Sequence, residues 1–145
     1  VHHHGFLHRL DVPSSGLILA AKTYEAYYDL AFQLNASAMT RDYLVLSHGW
    51  MAAETCEVRA HVLWSESAGS GSPSQAVGDG SSGKPALSHL KVLAHVHRSG
   101  QPLSLIAIRI GTGRRHQIRA HMAHLGHPTV CDGKYGSSGK ALEAS

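Results

Sequence analysis

Cysteine is scarce in this chain of 145 residues: there are two, Cys56 and Cys131, far apart and outside any C-x-x-C pair. That excludes a disulfide framework and a thiolate zinc site, and makes a reducing compartment the default. Long apolar runs are missing as well. None approaches the roughly 18 to 20 residues that cross a bilayer, and the N-terminus lacks the basic, apolar and cleavage regions of a secretory leader. The expectation is a soluble, intracellular protein, cytoplasmic or organellar, with no membrane partner. No internal repeat is visible. An initiating methionine is also lacking and little precedes the first motif, so the chain reads as a piece of a longer protein.

What is present suits one globular domain spanning 1–145. Apolar residues make up 43% of the chain, enough for a real core at this length. The formal charge is +3 with histidines neutral, and 13 histidines add latent positive charge below neutral pH. That balance fits a polyanionic partner.

Hydrophobic patterning gives an α+β reading: a mixed, mainly antiparallel sheet with helices packed on it. Leu17 to Ala21 follows a Pro-Ser-Ser-Gly turn and reads as a buried strand. Thr23 caps a helix from Tyr24 to about Leu34, with Ala26, Tyr27, Leu30, Ala31 and Leu34 at helical spacing. Asp42 to His48 alternates as a strand, Tyr43, Val45 and Ser47 on one face and Leu44 and Leu46 on the other. Val58 to Leu63 reads as a further short strand. Residues 65–84 are dominated by Ser and Gly and read as a flexible insertion, too poor in apolar groups to order itself. Ser88 to His97 and Pro102 to Ile110 form an antiparallel pair, the second apolar on both faces and therefore central. After Gly111-Thr112-Gly113 a helix runs from Arg115 to Leu125 and stops at Gly126.

Two polar islands stand at passages between these elements: His8-Arg9-Leu10-Asp11-Val12-Pro13-Ser14-Ser15-Gly16, and Thr112-Gly113-Arg114-Arg115-His116-Gln117-Ile118-Arg119-Ala120-His121. A rigid scaffold can present such side chains to a substrate. Arg114, Arg115, His116 and Lys134 surround the start of the second helix, where backbone N–H groups favour an anion, and read as phosphate contacts or as a solvated basic face.

With Arg41-Asp42-Tyr43-Leu44 between them, the islands resemble the three successive motifs of the RluA-type pseudouridine synthases, in order and at plausible separations. The resemblance implies that family's catalytic fold, truncated, and a cofactor-independent isomerisation of uridine to pseudouridine in structured RNA, ribosomal or transfer. It implies Asp11 as the essential aspartate, Tyr43 as the tyrosine that stacks on the target base, Arg119 as the basic residue paired with that aspartate, and Arg9 as the side chain that fills the vacated RNA stack. His116 and His121 match motif positions suited to shaping the pocket. Two mild departures are Arg41 where lysine is common and Ser14-Ser15 for Thr-Ser. The family's strand before the first motif is absent, and the sheet beyond Tyr135 stops early.

The chemistry suits those residue types. The nucleotide must leave its stack before its glycosidic bond is reached. A carboxylate can attack or stabilise the sugar carbon. A pocket deep enough for a base raises the carboxyl pKa, and an arginine restores the ionised form. Read singly, each residue has a structural alternative: Asp11 caps a turn, Tyr43 is core, Arg119 is a surface charge. Their co-occurrence in three motifs selects the functional reading. Two rivals stand beside it, an incomplete relative or gene fragment that only binds RNA, and a histidine-based metal protein. The second is disfavoured because His116 and His121 are five residues apart, which does not align them on a helix face, and no cysteine or glutamate completes a motif. No metal and no cofactor is expected.

Overall fold

The computed structural model describes residues 3–64, 75–77 and 83–136. The chain divides into two compact units, Val1–Thr40 and Arg41–Ser145.

In the first unit, Phe6 bridges Ala20 in an antiparallel sense, with Leu7 donating to the Leu19 carbonyl at 3.1 Å and Ala21 to that of Gly5 at 2.8 Å. The expectation of a buried strand at Leu17–Ala21 is corrected here. The segment makes one bridge and no ladder, and Leu17, Ile18 and Leu19 are 94%, 44% and 37% exposed. Apolar content alone does not make a strand, because the backbone needs a neighbour along its whole length. Helix α1, Tyr24–Asn35, begins as expected at Thr23, whose hydroxyl accepts the Ala26 N–H at 3.2 Å. The predicted stripe of Ala26, Tyr27, Leu30, Ala31 and Leu34 is half-buried, while Tyr24, Tyr28 and Phe32 stand exposed.

The second unit is built on a four-stranded antiparallel sheet in the order β1-β6-β5-β2, where β1 is Asp42–His48, β2 Glu57–Arg59, β5 Leu87–Arg98 and β6 Gln101–Ile110. β6 is central, as its two apolar faces require. Ser99 and Gly100 join β5 to β6, both at positive φ (51° and 77°), the handedness that matches strand twist in a two-residue hairpin and that glycine adopts without strain. One sheet face carries Val45, Ile106, Ile108, Leu90 and Val58 into a core with Met51 and Met122.

The single strand expected at Val58–Leu63 is divided. β2 pairs with β5, whereas β3, His61–Leu63, pairs with β4, Gln75–Val77. Val58, Ala60 and Val62 are all buried, so the alternation runs through the break and only the partner changes. β4 also corrects the structureless reading of 65–84 at Gln75–Val77, because β3 supplies a ladder that the local composition does not; the insertion's remaining central residues lie outside those described.

Helix α2 runs Gln117–His124, two residues shorter at its start than expected. His116 takes a left-handed conformation (φ 53°) that stops the helix from extending toward Arg115. Ala120, His121 and Met122 are buried against the sheet, and Gly126, at φ 78°, closes the far end.

Candidate functional site

The loop from β6 into α2 is held by Gln117, which is 2% exposed. Its side-chain oxygen accepts the Thr112 hydroxyl at 2.7 Å and the Arg114 N–H at 3.0 Å. Its amide donates to the Leu87 carbonyl at 2.9 Å and to Ser88 Oγ at 3.1 Å. One glutamine therefore ties the Gly-rich loop and the helix start to β5.

Around that loop the basic side chains are placed individually. Arg114 is exposed and its Nε donates to the Pro85 carbonyl at 3.1 Å. Arg115 lies over the Trp64 ring, 4.6 Å from its centroid. Arg41 reaches in from the residue before β1. A Cβ on Gly113 would sit 2.5 Å from its Nη1, so any other residue there would have to displace the end of this guanidinium. Arg41 Nε is buried without a hydrogen-bond partner among the described residues. Arg41 was not among the expected site residues, although it belongs to the second motif, where it stands in place of the commoner lysine.

Arg119 projects from α2 onto Asp132. Nε and Nη2 meet the two carboxylate oxygens at 2.6 and 2.7 Å, a bidentate pair with side chains 13% and 3% exposed. The Thr129 hydroxyl donates to the same carboxylate at 2.9 Å, and the Lys134 and Tyr135 N–H groups at 3.1 and 3.3 Å. Burial pushes the Asp132 carboxyl up, but hydrogen bonds from Arg119, Thr129 and the Lys134 backbone, with the Arg119 charge, outweigh it and hold the pKa at about 2. The guanidinium also lies 4.8 Å from the centroid of the Tyr135 ring, and Tyr135 Oη meets His116 Nδ1 at 3.1 Å. Through these contacts Asp132 and Tyr135 secure the segment after the helix. Sequence reasoning missed that they also fix Arg119.

Tyr43 is half-buried on the core face of β1, opposite Ile108. Lys134 is exposed. Arg41, Tyr43, Arg114, Arg115, His116, Arg119 and Lys134 all belong to the second unit. Asp11 and Arg9 belong to the first, where the Asp11 carbonyl accepts the Ser14 N–H at 2.9 Å in a tight turn; Arg9 is exposed and Asp11 half-buried. Among the described residues, no group of three or more His, Cys, Asp or Glu side chains could hold a metal ion, and no helix is long and apolar enough to cross a membrane.

A family model described as RNA pseudouridylate synthase matches residues 1–124. Similar proteins include the ribosomal large subunit pseudouridine synthase D of Pseudomonas aeruginosa, 35% identical over 139 residues. An uncharacterized RNA pseudouridine synthase of Bacillus subtilis, YlyB, is 32% identical over 146 residues. The chain is covered to 91% and 97% in these matches, and spans 38% and 45% of the relatives' own length. Among solved structures, human RNA pseudouridylate synthase domain containing 1 superposes with a TM-score of 0.79 at 31% identity, over 92% of this chain and 56% of that one.

Proposed function

The chain belongs to the RNA pseudouridylate synthase family, and from that premise we propose that it isomerises uridine to pseudouridine in structured RNA, ribosomal or transfer, through an aspartate-dependent base-flipping mechanism. The observation that carries this reading is the family match across residues 1–124, which spans all three motifs. Asp11 attacks or stabilises C1′ as the N1–C1′ bond breaks. The detached uracil turns on the Tyr43 ring, C5 bonds to C1′, and the C5 proton leaves to solvent. Stacking on an aromatic ring contributes on the order of 1 to 3 kcal/mol, enough to hold a base that has lost its covalent tether.

Arg119 supplies the permanent charge that keeps the Asp11 carboxylate ionised. In the structure its Nε and Nη2 are engaged by Asp132, so the proposed role has Arg119 shared between that carboxylate and Asp11. Arg9 occupies the gap left by the flipped nucleotide, as a planar, hydrogen-bonding head can. Arg114, Arg115, His116 and Lys134 position the RNA through its phosphates. No cofactor or metal takes part in this scheme.

A second reading is an RNA-binding relative without catalysis. Tritium release from C5-tritiated uridine in bulk cellular RNA separates the two. Release is expected from the parent, and none from Asp11→Asn, which removes one charge and keeps the shape, with RNA affinity within about threefold. A folded, RNA-binding parent that releases no tritium would overturn the synthase reading.

A further inference from the structure

At the other end of β1, roughly 20 Å from Tyr43 at about 3.3 Å per residue, the sheet ends in a surface that the isomerisation chemistry does not use. Trp50 stands there 55% exposed, yet the backbone on either side of it is fixed. The buried Ser104 hydroxyl donates to the Gly49 carbonyl at 2.8 Å and accepts the Met51 N–H at 2.9 Å. The Gly49 N–H donates to the Pro102 carbonyl at 2.9 Å, and His95 Nε2 meets the Met51 carbonyl at 3.0 Å. The indole lies against the His95 ring, centroids 5.9 Å apart at 26°, and meets His97 edge-on at 4.8 Å and 66°.

This ridge depends on one irregularity in the sheet. Between Val92 and Ala94 the β5 register shifts by one residue, so His95 rather than Ala94 faces Ser104. An uninterrupted ladder would turn His95 and His97 to the opposite face and take both imidazoles away from Trp50. The β5–β6 hairpin brings no acidic side chain to the ridge: residues 87–110 contain no Asp or Glu, and His89, Lys91, Arg98 and Arg109 belong to the opposite face, where His89 pairs with Glu57 and Arg109 with Asp42. A rigid, exposed aromatic flanked by two imidazoles offers a π-face to a nucleobase and hydrogen-bonding ring edges to its polar groups, which an apolar protein segment would leave unused.

We propose that the Trp50–His95–His97 ridge is a stacking site for an unpaired base of the RNA, several nucleotides away from the uridine that is modified. The proposal rests on the RNA-directed reading above for the identity of the ligand and not on the isomerisation itself.

Binding of a labelled, unstructured oligouridylate to the full chain tests it, by fluorescence anisotropy. Trp50→Ala and Trp50→Leu are each expected to weaken binding by about tenfold, and Trp50→Phe, which keeps a π-face, to stay within about threefold. Affinity for heparin, a polyanion without bases, should not change. Trp50→Leu keeps apolar bulk, so a loss there reports stacking, and circular dichroism establishes that each variant is folded. Undiminished oligouridylate binding in both folded variants would overturn the proposal and leave the ridge to a protein partner. An equal loss for heparin would overturn it too. Asp11→Asn should retain the Trp50-dependent affinity, so a failure of catalysis and a failure of this site are separately visible.

Discussion

Arg119 and Asp132 illustrate what a motif does and does not reveal about a residue. The Gln-Ile-Arg context singled out Arg119, but its partner lies 13 residues on, across a helix end and a turn, where no periodicity links the two. Removing one member leaves the other charged and buried. Asp132→Ala is therefore expected to destabilise the fold by about 3 to 5 kcal/mol, read as a shift in urea midpoint at constant slope. The pair also sets an acid limit. The folded carboxyl sits near 2, below its ordinary 3.8, so its contribution is complete above the ordinary value and is lost as pH falls from there toward 2. Arg119→Ala should reduce tritium release more than RNA affinity, and Arg119→Lys should not restore it, because an ammonium cannot make the bidentate contact. If Arg119→Ala weakened RNA binding alone, the residue would be a phosphate contact.

At the scale of elements, legibility followed periodicity. Strand β1 and helix α1 were readable because alternation and a capped 3.6-residue stripe each matched burial, and the β5–β6 hairpin because Ser-Gly marks a turn that only positive φ can make. The division of 58–63 was not readable, since it depends on which distant strand supplies hydrogen bonds, and no local signal marks the left-handed His116. The anchoring of α2 belongs to the same class. Gln117 donates to Ser88, the Ser88 hydroxyl donates to His121 Nδ1 at 3.0 Å, and His121 Nε2–H donates to the Ala60 carbonyl at 3.2 Å. This chain of donors requires neutral His121. Burial pushes its pKa down, against the Ala60 hydrogen bond, and the His124 charge adds to the lowering. With the folded pKa below the ordinary 6.5, the unfolded chain binds the extra proton first. Stability is thus complete above that value and declines as pH falls below it. Comparison of urea midpoints at about pH 7.5 and about pH 5.5 should show a fall in the parent that is smaller in His121→Gln. An identical fall in both proteins would remove His121 as the cause.

For the molecule as a whole, the sheet has one face packed by α2 and another that the described residues cover incompletely. On that second face Leu44 is 72% exposed beside the half-buried Leu46 and Leu105, and Val96 is 43% exposed. Binary patterning made the alternation of β1 legible, but a strand's two faces look alike in sequence when both are apolar, and which one is covered depends on the rest of the assembly. Part of β1's outer edge is closed by the segment after α2: Ser47 bridges Thr129, and Val130 donates to the Leu46 carbonyl at 2.9 Å. Asp42 to Val45 lie beyond that bridge. An apolar face next to a strand edge favours association between copies. A charge at Leu44 should oppose this association without disturbing the core, because the side chain it replaces is already in water. Leu44→Lys is expected to reduce concentration-dependent association in sedimentation velocity while changing folding stability by no more than about 0.5 kcal/mol. A large loss of stability in that variant would mean that Leu44 is covered in solution and that the exposed face is an internal one.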